Sequence, residues 1–497
     1  MKYLRELIRT FKYKSKFISK NKDTKLNYVV NSSANSRLTE LMNFHGSDKG
    51  GKNDHHNYSE YYSEIFFNNR KQIKNFLEIG LGTNNVKLAS NMGEDGTPLA
   101  SLRAWRDYFE NANIYGADID KEILKNEDRI KTFFVDQTNP ETIKSLFKNM
   151  GVDQFDIILE DGLHEYNANI CFFENSIKYL GSNGIYIIED VYYKDKKKFI
   201  KYFKNTDYNY AIVDIFHKKN IANNCVIIVR KNKIYDCITF FDENLLVNAR
   251  FEILKDVVDF FIVCESRYDH KGKKKEINFK LKNKSFTNKI RHIIINENFP
   301  NLNDGWNNES YQREKIINGL YDAKDEDYIL YSDSDEIPNP SFLKNIQLEK
   351  KYGVFMQKFF VFKINIFNKH ESPWEGTRIC KKKDLKSISH LRKKILIKNL
   401  KKAFWKVDLE KNIQIIKEGG WHFNNLYTSE LISKKLKTFQ HKEFSNEKYS
   451  SIDVINKKIS KLEDLFGRNQ IYQKVELDES YPDYIINNLV VFDKFIL

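Results

Sequence analysis

The chain is poor in proline, with 7 in 497 residues, and holds only 20 glycines, which excludes collagen-like and low-complexity classes. Its cysteines, at 171, 225, 237, 264 and 380, are odd in number and form no CxxC. That pattern implies reduced, mostly buried thiols in a cytosolic protein. Long apolar runs are missing too: the stretch from Val257 to Cys264 is broken by Asp259. Nothing approaches the roughly 18–20 apolar residues that span a bilayer. The first 22 residues lack the uninterrupted apolar core of a secretory signal.

Aromatic side chains are abundant, 37 Phe and 28 Tyr, so the chain can fill large cores. At roughly 100–200 residues per domain its length suits two to four domains. The formal charge is +14, but the lysines are spread along the chain, as on a solvated surface, which argues against a nucleic-acid partner. Residues 1–25 differ: nine Lys/Arg face only Glu6 and Asp23, and Leu4, Leu7, Ile8 and Phe11 recur at helical spacing. This segment reads as a basic amphipathic helix for an anionic membrane surface or acidic polymer, or as a plain soluble leader.

Between 75 and 230 short apolar runs alternate with helical stretches. Segments 75–82, 113–120, 131–136, 155–161 and 184–190 read as strands of a parallel sheet buried on both faces. Segments 208–216 and 224–231 follow across a short turn, so they must pair antiparallel. This predicts an α/β fold, a Rossmann-like doubly wound sheet with an antiparallel edge strand, the class I methyltransferase arrangement in outline. A second rhythm begins near Tyr235: parallel strands at 259–266, 290–297 and 327–336, an antiparallel aromatic patch at 352–364, and a mostly helical, Lys-rich remainder past 400. The expected organisation is a leader at 1–37 and domains at 38–234 and 235–497.

Glu78, Gly80 and Gly82 end the first strand, where doubly wound folds bind ligands. Asp118, ending the second, suits a ribose hydroxyl, and Asp136 with Gln137, ending the third, suits a base. Strand four ends in Asp161 with His164 nearby, and strand five in Glu189 and Asp190. Three carboxylates around one point repel one another unless a cation joins them, and oxygen ligands suit Mg2+. His164 is then placed to take a proton from a hydroxyl. The bland alternative is a set of helix caps.

The motifs DKGG (48–51), SLRAWRDYF (101–109), YGADID (115–120), DQT (136–138), EDGLH (160–164) and IED (188–190) resemble the metal-dependent sugar O-methyltransferases of the macrocin and mycinamicin type. The resemblance covers about 38–230. It implies S-adenosylmethionine as donor, Asp161, Glu189 and Asp190 as metal ligands, and His164 as general base. Glu160 stands where that family commonly has Asp, and the insertion at 83–101 alters the acceptor pocket.

The stretch YILYSDSDEIP carries Asp333 and Asp335 after an apolar strand, two residues apart and so able to converge on one ion; a solvated turn is the alternative. Segment 241–497 resembles glycosyltransferase family 17. The carrying residues are Glu243, Arg250, ESRYDHKGKKKEINF (265–279), WNNESYQR (306–313), SDSDEIP (332–338), GGWHF (419–423) and KLKTFQHKEF (435–444). The resemblance implies a GT-A-like fold, Asp333 and Asp335 as ligands of Mn2+ or Mg2+, and an inverting transfer. Lys273 and Arg313 are diphosphate candidates, or surface ion pairs. Glu375 and Glu443 are candidates for the base, and His422 and His441 for metal or phosphate contacts, or for buried structural histidines.

Together these readings predict a bifunctional enzyme of surface polysaccharide synthesis, cytoplasmic and peripheral at the inner membrane face. It would methylate a sugar hydroxyl and transfer a sugar, UDP-N-acetylglucosamine being the expected donor, to a glycan or lipid-linked glycan. The competing reading is methylation of RNA or a small molecule, with the C-terminal domain only a glycan-binding module.

Overall fold

The computed structural model describes residues 26–28, 36–52, 56–217, 222–270, 272–300, 305–344, 346, 348–403, 405–438 and 446–497. The chain forms two compact units, Met1–Lys231 and Asn232–Leu497.

The first unit is an eight-stranded sheet of order β1-β7-β8-β6-β5-β2-β3-β4. Its strands are β1 (Leu26–Tyr28), β2 (Asn75–Ile79), β3 (Asn113–Asp118), β4 (Ile130–Phe134), β5 (Phe155–Glu160), β6 (Leu180–Ile188), β7 (Tyr208–Ile215) and β8 (Cys225–Lys231). Successive side chains leave a strand on opposite faces. Accordingly Leu77, Tyr115, Ile158, Tyr186 and Ile188 pack into one core. Phe76, Ile114, Ile157, Leu159 and Ile187 pack into the other. Helices Pro140–Met150, Tyr166–Ser176 and Lys196–Lys204 supply the first core, and Arg37–His45, Tyr58–Phe66 and Ala100–Tyr108 the second.

The seven expected strands form, and β7 and β8 pair antiparallel. The reversed strand β8 is internal, however: it pairs with β6 as well as β7, and its first five residues are buried. The edge is β1, parallel to β7 and lying within the segment read as a leader. The basic helix expected over residues 1–25 lies outside the described residues.

In the second unit β9 (Ile234–Phe240), β10 (Phe260–Ser266), β11 (Ile290–Ile295) and β12 (Tyr328–Asp333) are parallel in order β11-β10-β9-β12. They are extended by the antiparallel strands β16 (Trp374–Lys381), β14 (Tyr352–Val361) and β15 (Ile366–Asn368). Alternation again divides two cores, with Leu330 and Val263 on one side and Ile329 and Cys264 on the other. The stretch past 400 departs from the mostly helical expectation. Strands β17 (Ile413–Ile416) and β18 (Gly420–Asn424) both pair with β14, and β18 also pairs with β13 (Glu336–Pro338). Gly420 makes this possible: at φ +121° a Cβ there would stand 2.1 Å from the Ile337 carbonyl oxygen.

One buried ion pair fixes the end of β12. Arg250, from helix Asn244–Leu254, is fully buried and grips Asp236 of β9 with two bonds of 2.6 Å. It also donates to Ser332 Oγ at 2.9 Å and to the Glu336 carbonyl. Removing one partner of such a pair strands the other charge, at about 3–5 kcal/mol. Arg250→Met is therefore expected to lose about that much in chemical denaturation, and the double change Arg250→Met/Asp236→Leu to lose clearly less.

Candidate active sites

In the first unit the ends of β2 to β6 surround a cavity of about 360 Å3, within the roughly 300–1,000 Å3 of small-molecule sites. Its wall includes Gly80, Gly82, Asp118, Asp136, Gln137 and Leu163, with Asp161, His164 and Asp190 at one side. Gly80 has φ +87°, and a Cβ there would stand 2.0 Å from the Asp161 carbonyl oxygen, so no other residue fits the turn. Asp118 accepts the amides of Leu81 (2.6 Å) and Asp120 (2.8 Å), which ties the glycine turn to β3. Asp136 accepts the amide and hydroxyl of Thr138. Gln137 bridges strand ends, donating to Glu160 (2.9 Å) and accepting from the Leu163 amide (2.7 Å). Glu78 is not part of that wall; it is fully buried 3.4 Å from Lys49. Burial pushes its carboxyl up to about 7.

Asp161, His164 and Asp190 converge, each offering a ligand atom within 4.8 Å of the others. His164 Nε2 lies 3.9 Å from Asp161 and 3.7 Å from Asp190, and its Nδ1 is buried without a hydrogen-bond partner. His164 (φ +59°) and Asp190 (φ +53°) are both left-handed, a conformation costly for these residues and common at functional sites. The convergent carboxylates of Asp161 and Asp190 are oxygen donors that fit a divalent cation, with the imidazole of His164 beside them.

Glu189 does not join this group. Neighbouring residues at a strand end face opposite ways, so while Asp190 turns to the crevice Glu189 turns inward. There it accepts from Tyr62 Oη (2.6 Å) and lies 3.0 Å from Lys49 Nζ. Lys49 is the residue that the sequence reading did not single out, although its motif DKGG was noted. Buried to 3% exposure, its ammonium meets Asp161, Glu189, Glu78 and, at 3.9 Å, Asp48. Burial alone would lower its pKa, but Asp161, Glu189, Asp48 and Glu78 together hold it well above the ordinary value. Burial likewise acts to raise Asp161, yet Lys49 and His164 bring it below the usual carboxylate range. On the far side Tyr58 donates to Asp190, and His56 stands 3.4 Å from it.

In the second unit Asp333 ends β12 and Asp335 lies in the turn before β13, and each already faces a basic side chain. Arg392, from helix Ile388–Lys394, pairs with Asp333 and forks onto buried Glu336 at 2.9 and 3.1 Å. His422 of β18 stands 3.5 Å from Asp335. Among the described residues no third ligand gathers with these two aspartates, so the arrangement as it stands does not fit a metal. Arg313 is nearby and buried: it donates to Tyr331 Oη (3.0 Å), which reaches Asp333 at 3.3 Å, and its Nη1 has no partner. Lys273 is exposed on a turn; Lys275 instead pairs with buried Glu265 at 2.7 Å. Glu375 is engaged by Arg378 (3.5 Å) and by the Ile397 amide (3.2 Å). Glu443 and His441 lie outside the described residues.

Lys49→Met leaves Glu78, Asp161 and Glu189 without their shared cation. The expected loss is about 3–5 kcal/mol in chemical denaturation, and Lys49→Met/Glu189→Gln recovers part of it. Equal losses in both variants would show that Lys49 acts only by packing.

The family model of glycosyltransferase family 17 matches residues 186–469, opening at Tyr186 in β6, ahead of the boundary after Lys231. The N-terminal half is similar to sugar O-methyltransferases. The 8-demethyl-8-alpha-L-rhamnosyl tetracenomycin-C 2'-O-methyltransferase of Streptomyces olivaceus is 31% identical over 154 residues, 31% of this chain and 37% of that protein. The beta-1,4-mannosyl-glycoprotein 4-beta-N-acetylglucosaminyltransferase of Rattus norvegicus is 32% identical over 117 residues, 21% of this chain and 22% of that protein. The chain thus spans less than two-fifths of either curated relative. A solved complex of MycE, a methyltransferase from the mycinamycin biosynthetic pathway, with Mg, SAH and mycinamycin VI, superposes at a TM-score of 0.27 with 28% identity, over 32% of this chain and 40% of that one. Because the family match runs over more than half of its length, the chain belongs to glycosyltransferase family 17.

Proposed function

We propose that this chain is a glycan-modifying enzyme with two activities, O-methylation of a sugar hydroxyl in the first unit and sugar transfer from a nucleotide-sugar in the second. The observation that carries the first is the convergence of Asp161, His164 and Asp190 beside the cavity behind Gly80. Asp161 and Asp190 would hold a divalent ion, Mg2+ by their oxygen chemistry, which supplies a lower pKa to a sugar hydroxyl. S-adenosylmethionine, in the cavity lined by Gly80, Gly82, Asp118, Asp136 and Gln137, supplies an electrophilic methyl group. His164 takes the hydroxyl proton through Nε2. Tyr58 and His56 hold Asp190, and Lys49 holds Asp161, so the carboxylates are set before any substrate arrives.

For the second unit, family membership supports a nucleotide-sugar donor and a glycan acceptor. The relative that transfers N-acetylglucosamine supports UDP-N-acetylglucosamine as the donor. Arg313, buried with one unpartnered nitrogen, is suited to an anionic diphosphate. Asp333 and Asp335 face Arg392 and His422, so both basic side chains would have to release them before these carboxylates could hold a divalent ion. That both aspartates already face basic side chains favours a second reading, in which this unit binds glycan without transfer. We place the enzyme in surface polysaccharide synthesis at the cytoplasmic membrane face. Tethering two activities raises the effective concentration of one product at the other site.

Titration calorimetry with S-adenosylmethionine and with UDP-N-acetylglucosamine, each with and without Mn2+, separates the readings. Expected are S-adenosylmethionine binding that Gly80→Ala abolishes, and Mn2+-dependent nucleotide-sugar binding that Asp333→Asn abolishes and Asp161→Asn spares. His164→Ala is expected to leave S-adenosylmethionine binding intact while methyl transfer falls roughly 10²–10⁴-fold. No nucleotide-sugar binding by the unaltered protein would select the glycan-binding reading.

A further inference from the structure

Between helix Ile388–Lys394, which carries Arg392, and strand β17, the chain turns outward. Here Leu400 is 38%, Trp405 69% and Val407 90% exposed. Lys393, Lys394, Lys398, Lys401, Lys402 and Lys406 are exposed around them, and from 393 to 408 the only acidic residue is Asp408. Single exposed apolar residues are ordinary on soluble proteins. A tryptophan and a valine exposed two residues apart in a stretch with six exposed lysines are not: this pairing matches the interface of an anionic bilayer, where indole sits at headgroup depth and lysines face lipid phosphates.

The loop is built rather than loose. Asn399 is buried and donates to the carbonyls of Lys394 (2.8 Å) and Glu410 (3.2 Å), pinching the base of the loop. Lys411 Nζ donates to the Ala403 carbonyl, bracing the arm that leads to Trp405. At its root the Ile397 amide bonds Glu375, and one turn earlier Arg392 holds Asp333. The stretch from 395 to 403 therefore runs on directly from the helix that carries Arg392.

We propose that Leu400, Trp405 and Val407, with Lys398, Lys401, Lys402 and Lys406, dock the protein on an anionic lipid surface, the apolar side chains entering the headgroup layer and the lysines meeting lipid phosphates. A polyanion such as nucleic acid or an acidic polysaccharide would use the lysines and leave the three apolar side chains idle, which is why lipid is favoured. No helix among the described residues is long and apolar enough to cross a membrane. The proposal concerns adhesion and stands apart from either catalytic assignment.

The test uses the full chain and vesicles of phosphatidylcholine alone or with 30% phosphatidylglycerol, read by co-sedimentation. Binding is expected only to the anionic vesicles, to fall at least tenfold in Trp405→Ser/Val407→Ser, and to fall likewise in Lys398→Gln/Lys401→Gln/Lys402→Gln/Lys406→Gln. The difference in fluorescence between the unaltered protein and Trp405→Phe is expected to shift to the blue on binding. All these side chains are exposed, so an unchanged thermal melt checks that the variants remain folded. Unchanged vesicle binding by Trp405→Ser/Val407→Ser would overturn the proposal and move adhesion elsewhere, the basic residues 1–25 being the first candidate. So would loss on lysine replacement alone accompanied by equal affinity for heparin, which would mark a polyanion site.

Discussion

A carboxylate taken out of water must find a cation or give up its charge, and both units are organised around that requirement. In a parallel sheet the acidic residues that end the strands gather at one edge, over an apolar core that cannot solvate them. The first unit answers with one lysine. Lys49 reaches Asp161, Glu189, Glu78 and Asp48 from a short segment between two helices. The second unit answers with arginines: Arg392 on Asp333 and Glu336 at the strand ends, and Arg250 on Asp236 within β9. Without those cations the strand ends that bear the candidate sites would have to protonate or splay apart.

The same constraint sorts neighbouring acids into different work. Glu189 and Asp190 are consecutive, yet one is almost wholly buried against Tyr62 and Lys49 and the other faces the crevice with His164. Glu160 and Asp161 divide in the same way. Glu160 accepts from Gln137, Asn169 and Tyr186 in the interior, and burial pushes its carboxyl up to about 8 despite those donors. Asp161, pointing the other way, is kept ionised. The interior acid of each pair is held by buried hydrogen-bond donors, and its half-buried neighbour faces the crevice.

Much of this was legible beforehand because strand ends announce themselves: an apolar run of five or six residues that stops at Asp or Glu has few other readings. Asp161, Asp190 and Asp333 came out of that rule. Glu189 shows its limit, since the side of the sheet taken by a residue just past the strand depends on a backbone turn, here the left-handed Asp190, that composition does not encode. Lys49 lies 112 residues before the aspartate it pairs with, and Arg392 is one arginine amid lysines, so neither stands out by pattern. Strand β18 hid in a Lys-rich stretch because its pairing rests on Gly420 allowing close approach to β13, a tertiary fact. Strand β1 is three residues long, too short for any periodicity to betray.

The two solutions to one electrostatic problem differ in what they permit. A lysine is a compact point charge on a flexible stem, and Lys49 divides its charge among several carboxylates. Asp161 therefore keeps one oxygen toward Lys49 and one toward His164, and the pair Asp161–Asp190 remains open on the crevice side. Arg392 presents a planar fork that takes Asp333 and Glu336 at once, and bidentate geometry of that kind resists exchange. An ion approaching the first unit adds to an incomplete set of ligands; one approaching the second must first displace a guanidinium from its partner. On the proposed function, the first unit would take a cation with its partners in place, whereas the second would take one only after an anionic ligand drew Arg392 away. A diphosphate, with more negative charge than a single carboxylate, is the kind of group able to do so.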